Sequence, residues 1–417
     1  MNLIRTSLKN AIQVMVRIVV SFLNVKIIAV LVGPSGMALV SQLVNSLQLG
    51  LSISSLGFKD GIVKYVSQHK NESKKQAIYI STSLIAVIIA SAIVGLLALL
   101  FSRSISAYLL QTEDYYLLFR FSGLYFLSAA LLNLLIAILN GLEKQNLFIR
   151  INITLSVSGF LISLGAVLQW GLSGLLWAQI FNVLVAFVYG FWIYQRHVRV
   201  ALKRFSFKAL KKLSHYSIMT LFSAFAAPFI FVSIRNIIIS ETSLEVAGLW
   251  DGINKISSNY ILIITSAFSY YFIPTFSQLT TREGIVSEVR KTYRLLVPLL
   301  LIGGLGIYLS KDLIIRILFT EEFMMMRPFF KWQVIGDFFK VLAWIPAILL
   351  IAKARIKTYL SSELISLALQ LVLVKIFTAH LAQDYLTLYY AVENFLYFIM
   401  MFGIFYFYYL KDSKPRS

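Results

Sequence analysis

Long apolar stretches broken by short polar ones run the length of this chain. Each holds roughly 20 residues, enough to cross a bilayer as a helix. The pattern predicts about twelve transmembrane helices, near residues 8–32, 38–57, 77–101, 117–140, 147–168, 172–194, 214–239, 246–272, 293–310, 328–351, 358–379 and 386–410. Several breaks carry turn chemistry: Gly33-Pro34-Ser35-Gly36, Trp170-Gly171-Leu172-Ser173-Gly174 and Ser240-Glu241-Thr242-Ser243. A transmembrane barrel would instead show short segments that alternate polar and apolar residues. The expected class is an all-α polytopic membrane protein.

Composition agrees. Of 417 residues, 59% are hydrophobic and 13% charged, about half the charge of a soluble domain. The first apolar stretch carries Arg17 and Lys26 and lacks a small-residue cleavage site, so it reads as a span and not as a removable signal peptide. With no cysteine, disulfides and thiolate metal sites are excluded. Four scattered histidines, His69, His197, His215 and His380, show no metal-ligand spacing, and no GxxxxGK[ST] phosphate loop occurs. Neither a cofactor nor enzymatic chemistry is expected.

Lys and Arg set the expected orientation. With the N-terminus in the cytoplasm, 25 of the 38 Lys and Arg residues fall in cytoplasmic segments and four (Arg103, Lys311, Arg316, Arg327) in exterior loops. Both termini are therefore expected inside. The net charge of +20 is a topology signal and does not imply nucleic-acid binding. The longest basic connector, RHVRVALKRFSFKALKKL at 196–213, separates six spans from six. It reads either as an amphipathic helix on an anionic leaflet or as a plain basic linker. The expected domains are an N-lobe over 1–195, the cytoplasmic linker over 196–213 and a C-lobe over 214–417. The lobes look related: Lys26 near the outer end of span 1 matches Arg235 in span 7, and each is followed by a polar turn and a span with amides (Gln42 and Asn45, then Asn254). Two pseudo-symmetric six-helix lobes around a central cationic cavity fit this pattern.

Polar positions inside the spans line up at helical spacing. Span 1 gives Thr6, Asn10, Gln13, Arg17, Ser21 and Asn24; span 2 gives Ser41, Asn45, Gln48, Ser52, Ser55 and Lys59. Span 8 gives Asp251, Ser258, Thr265 and Ser269, flanked by Asn254 and Lys255; span 10 gives Gln333, Asp337, Lys340 and Trp344. Ser and Thr in such stripes are often interhelical glue. Ions are harder to assign to packing, because an unpaired one in hydrocarbon costs at least about 2.5 kcal/mol. Asp251 precedes Lys255 by four and Asp337 precedes Lys340 by three, so each couple can pair along its own helix. Such a pair is either a switch that an anionic ligand can open or a fixed bridge that locks register. Nine basic residues lie inside the spans (Arg17, Lys26, Arg120, Arg150, Arg235, Lys255, Lys331, Lys340, Lys375) against four acidic ones (Asp251, Asp337, Glu363, Glu393). The lumen is expected to be cationic and its cargo anionic.

The segments IAVLVGPSGMALV, GFKDGIVKYVSQ, PFIFVSIRNII, AGLWDGINKISSNYILIITSAFSYYFIPTFSQLT and FKWQVIGDFFKVLAWIPAILLIAKA resemble the Wzx-type flippases of the polysaccharide transporter family. The resemblance covers essentially the whole chain. It implies the multidrug/oligosaccharidyl-lipid/polysaccharide exporter fold, with two lobes that open alternately to each side. It implies a cargo of undecaprenyl pyrophosphate bearing one oligosaccharide repeat, of the O-antigen type or alternatively that of enterobacterial common antigen, moved from the cytoplasmic to the periplasmic leaflet of the inner membrane. The family's cationic lumen residues map onto Arg17, Lys26 and Arg235, with LWDGINK and GDFFK supplying Asp251, Lys255, Asp337 and Lys340.

Chemistry read from the residues points the same way. Guanidinium groups bind pyrophosphate through forked hydrogen bonds, and the amides Asn24, Gln42, Asn45 and Asn254 suit a sugar. Trp250, Tyr260 and Trp344 could stack on pyranose rings, though aromatic anchoring at the interface is commoner. Arg17 and Arg235 would recruit the pyrophosphate, one from each lobe, and restored Asp251–Lys255 and Asp337–Lys340 pairs would release it. Membrane lipids, and a polymerase and chain-length regulator of the same pathway, are the expected neighbours. Two readings compete: a polytopic polysaccharide polymerase, disfavoured by short exterior connectors, and a multidrug or lipid II exporter of the same fold.

Overall fold

The computed structural model describes residues 3–70, 72–197, 205–353 and 355–411. They form thirteen α-helices and no strand. In chain order these are α1 (Leu3–Ser54), α2 (Phe58–Gln68), α3 (Ser73–Leu100), α4 (Ser102–Leu110), α5 (Tyr116–Gly141), α6 (Gln145–His197), α7 (Phe207–Glu241), α8 (Leu244–Gln278), α9 (Arg282–Leu309), α10 (Lys311–Leu318), α11 (Phe329–Ala352), α12 (Ile356–His380) and α13 (Leu388–Phe405). Short 3-10 turns at Glu321–Met326 and Gln383–Tyr385 precede α11 and α13.

Nine stretches among the described residues are long and apolar enough to cross a membrane. Two of them, Gln13–Ser54 and Gln145–Arg196, run 42 and 52 residues. That is over ~60 Å of helix against a hydrocarbon core of about 30 Å. Each is broken where the turn chemistry falls. α1 breaks at Gly33 (φ 66°), just before Pro34; α6 breaks at Trp170 (φ −129°) and Gly171 (φ 58°). Glycine takes the positive φ at no steric cost, and Pro34 has no N–H to continue the ladder. α1 thus carries spans 1 and 2, α6 carries spans 5 and 6, and α8 covers span 8, an arrangement compatible with twelve crossings. Outward faces are apolar: Leu96, Leu100, Leu309 and Ile302 are 57%, 64%, 69% and 74% exposed. Lipid, not water, is the solvent that such faces suit. The chain is a multi-span helical membrane protein.

The helices sort into two compact units, Met1–Val32 with Leu39–Ser233, and Gly33–Ala38 with Ile234–Ser417. The dividing line falls after Ser233, inside α7, and residues 205–213 of the basic connector belong to the first unit. Residues 198–204 of that connector lie outside the described residues.

In the first unit, Leu132, Leu135, Ile136 and Leu139 of α5 pack on Ile151, Ala186 and Ile193 of α6. α3 and α5 touch backbone to backbone: a Cβ on Gly95 would lie 2.9 Å from the Cα of Gly123. Small residues at such a crossing let membrane helices gain close van der Waals contact. The Ser52 hydroxyl donates to the Ala224 carbonyl at 2.7 Å, tying α1 to α7.

In the second unit, Phe272 and Phe276 of α8, Ile285, Val289 and Leu296 of α9, Ile345, Ile348 and Leu349 of α11 and Phe405 of α13 form one core. α11 and α13 approach closely at Gly336, where a Cβ would meet the Tyr390 ring and lie 3.3 Å from the Cα of Ala391. Gly248 of α8 lies against the Pro34 backbone, leaving no room for a side chain. Helix starts are capped as expected: Ser243 accepts from the Val246 N–H at 3.2 Å and Thr281 from the Gly284 N–H at 3.3 Å.

Candidate functional site

The second unit has a polar interior built by α7, α8, α11 and α13. α7 carries Arg235 inward, fully buried at 0% exposure, and α8 presents Asp251 to it at 3%. The guanidinium forks onto the carboxylate: Nε donates to Oδ2 at 2.7 Å and Nη2 to Oδ1 at 2.6 Å. Two parallel charge-assisted bonds of this kind fix both groups in orientation. The Arg235 guanidinium also sits 5.6 Å from the Trp250 ring centre. Trp250 in turn donates its indole N–H to the Tyr389 hydroxyl at 2.9 Å.

Farther along α8, Asp337 of α11 is a hub. Ser257 donates to its two oxygens at 2.7 and 2.8 Å, Tyr390 donates to Oδ1 at 2.7 Å, and Tyr260 donates to Oδ2. Three hydroxyls from two other helices thus satisfy one buried carboxylate, which would otherwise be costly to desolvate. Lys340 lies 5.4 Å from the Tyr390 ring centre, with its ammonium at the exposed edge. The other two acids of the spans are also partnered: Ser366 donates to Glu393 and Tyr397 to Glu363, each at 2.5 Å. Gln333 lies one turn before Asp337, 1% exposed, and neither its amide oxygen nor its amide nitrogen has a hydrogen-bond partner among the described residues.

Both expected intrahelical pairs are corrected. Asp251 pairs with Arg235, not with Lys255, because a forked guanidinium from the neighbouring helix takes both carboxylate oxygens at once. Asp337 is held by hydroxyls, and no ion pair joins it to Lys340 among the described residues. A release step that restores those two pairs has no counterpart here. Arg235 is likewise no open recruiter of anions in this conformation, since it is buried and committed to Asp251. The aromatic rings proposed for sugar stacking have protein partners: Trp250 bonds Tyr389, Tyr260 bonds Asp337 and Trp344 packs on Phe272. Ser257, one residue off the expected stripe, bonds Asp337, whereas Ser258 of the stripe is exposed.

Other expected residues stand more openly. In the second unit Lys255 is half-buried and forms no ion pair among the described residues. Asn254 is half-buried, with its amide donating to the Trp250 carbonyl at 2.7 Å. In the first unit Arg17 is exposed, and Asn24, Lys26 and Asn45 are half-buried. Gln42 is buried at 1%, and its carbonyl accepts from Ser46 at 2.7 Å. Of the span 2 serines, Ser52 bonds across to the Ala224 carbonyl of α7, whereas Ser46 bonds back to the Gln42 carbonyl of its own helix. The side chains of Thr6, Asn10 and Ser269 lie outside the described residues.

The charges sort by sign. Six of the nine basic span residues (Arg17, Arg120, Arg150, Lys331, Lys340 and Lys375) are exposed, whereas three of the four acids (Asp251, Asp337 and Glu393) are buried. The second unit holds its buried acids in hydrogen bonds. Sequence reasoning missed Tyr389, Tyr390, Ser366 and Tyr397. A signal existed, because Tyr390, Glu393, Asn394 and Tyr397 form a polar stripe on span 12.

This helical plan is that of a known class of membrane transporters. An inward-facing structure of a multidrug resistance MATE family transporter of the MOP superfamily matches with a TM-score of 0.76 at 12% identity, covering 94% of this chain and 97% of that one. A MOP superfamily transporter from Pyrococcus furiosus matches with a TM-score of 0.57 at 12% identity, covering 96% of each chain. At these identities the likeness defines the fold. The family follows from sequence: the profile described as "Polysaccharide biosynthesis protein" matches residues 7–280. The chain belongs to that family. Its relatives include the lipid III flippases of Escherichia coli (strain K12) and Shigella flexneri, each 29% identical over 376 residues, 89% of this chain and 90% of theirs.

Proposed function

We propose that this chain is a flippase that moves an undecaprenyl-pyrophosphate-linked oligosaccharide repeat unit, of the O-antigen type, from the cytoplasmic to the periplasmic leaflet of a bacterial inner membrane. The observation that carries this reading is likeness to lipid III flippases along nearly the whole chain. The same likeness supports a second reading, in which the cargo is lipid III itself. The chain acts as a transporter and not as a catalyst, with both termini in the cytoplasm. Its partners are the lipid-linked cargo and membrane lipids, with the pathway's polymerase and chain-length regulator downstream.

Arg17, Lys26, Lys255 and Lys340 meet the pyrophosphate. Arg17 and Lys340 are exposed, so they can trade water for phosphate oxygens at little desolvation cost. Asn24, Asn45 and Asn254 face the sugar. The Arg235–Asp251 fork and the Asp337 hub hold α7, α8, α11 and α13 as one rigid body. Translocation proceeds by alternating access.

A gene deletion tests the proposal. Cells lacking this chain should accumulate one pyrophosphate-linked glycan on the inner leaflet and lose the matching surface polysaccharide, and chemical analysis of that glycan separates the two cargoes. An unchanged pool of lipid-linked glycan with normal surface polysaccharide would refute both.

A further inference from the structure

A groove on the outer face of the second unit combines an apolar trough with a basic end. The trough is a cavity of about 480 Å³ between α9 and α11, lined chiefly by Leu300, Leu301, Gly304, Leu305, Val334 and Phe338. Gly304 lets α9 come close to α11 beside the trough: a Cβ there would come within 2.9 Å of Val334 Cγ1. Leu301 and Leu305 are 56% and 58% exposed, so the trough opens sideways onto the lipid-facing surface. At one end it runs into a second cavity of about 430 Å³, which shares Tyr308 and Lys331 with it and adds Lys311, Arg327, Trp332 and Asp384.

We propose that this groove binds an anionic phospholipid, with one acyl chain in the α9–α11 trough and the phosphate headgroup on Lys311 and Lys331. The argument rests on charge complementarity. Lys311 lies 4.3 Å from the Tyr308 ring centre and Lys331 lies 4.5 Å from that of Trp332. Neither ammonium forms an ion pair among the described residues. Arg327 is held by Asp312 at 2.8 Å on the surface, a bond weak enough for a phosphate to compete with. Asp384 is the one acid lining the basic cavity. A basic pocket at the end of an apolar channel fits the two halves of a phospholipid, and each lysine near a membrane surface favours anionic lipid by about fivefold. Bulk lipid reaches the groove directly because it opens to the bilayer. In the proposed orientation the headgroup belongs to the exterior leaflet. The site is separate from the pyrophosphate residues above and stands or falls apart from them.

Native mass spectrometry of the full chain in mild detergent tests this, with phosphatidylglycerol, phosphatidylethanolamine and undecaprenyl phosphate as probes at equal concentration. Phosphatidylglycerol should be retained at least about fivefold over phosphatidylethanolamine. The preference should vanish in K311Q/K331Q, survive in K311R/K331R and be untouched by K375Q. Filling the trough with Leu305→Trp should lower binding of every two-chain lipid. Equal retention of the two phospholipids by the unaltered protein, or an undiminished preference in K311Q/K331Q, overturns the proposal. So does undecaprenyl phosphate displacing phosphatidylglycerol, which would give the groove to the cargo's carrier lipid. Should K311Q/K331Q fail to fold, the headgroup comparison on the unaltered protein decides alone.

Discussion

The two units use polar residues in opposite ways. In the second, Arg235, Asp251, Asp337 and Glu393 are buried and each is bonded to a named partner. In the first, Arg17 is exposed, Lys26 and Asn45 are half-buried, and the serines mostly bond backbone carbonyls. A buried ion fits membrane depth only when its partner is fixed, so the second unit's buried charges read as framework. An exposed cation on an apolar helix, such as Arg17, lies outside that explanation. A polar stripe in a sequence therefore means different things according to whether its partner lies within the protein.

Breaking the buried fork should give the largest effect. Arg235→Ala leaves Asp251 uncompensated and should cost about 3–5 kcal/mol, seen as loss of folded protein in detergent thermal unfolding. Replacing both members with apolar residues of similar volume should recover most of that stability, whereas a second unit whose fork is dispensable would melt like the parent. Next comes overpacking. Gly248→Val places a side chain against the Pro34 backbone and should destabilise by roughly 1–3 kcal/mol or more. Tyr390→Phe removes one of the hydroxyls on Asp337 and should cost about 1 kcal/mol. Smallest in stability, and most telling, are the open cations. Arg17→Ala and Lys340→Ala should change stability by no more than about 0.5 kcal/mol. They should nevertheless weaken cargo binding roughly tenfold or more, as loss of a charged hydrogen bond does, measured by titrating purified protein with pyrophosphate-linked glycan.

Much of the fold was legible because lipid imposes it. A bilayer fixes the length and apolarity of each helix, and Gly33-Pro34 and Trp170-Gly171 announce their breaks in residue chemistry. The site was legible only as a set of residues. Asp251 and Lys255 obey the spacing for a pair on one helix, but Asp251 chose Arg235 across a helix boundary. Sequence spacing speaks only of residues on one helix, and partner choice depends on which helix lies alongside. The same limit hid Tyr389 and Tyr390, whose roles exist only because α13 packs on α8 and α11. Ser257 was missed by a single residue of helical phase.

The most direct test is transport by the purified chain in vesicles loaded with a pyrophosphate-linked glycan on one leaflet. Glycan reaching the opposite leaflet would be followed with a membrane-impermeant glycosidase. The unaltered protein should expose the glycan, and Arg17→Ala, equally folded, should not. Full exposure with Arg17→Ala, or none with the unaltered chain, would contradict the account.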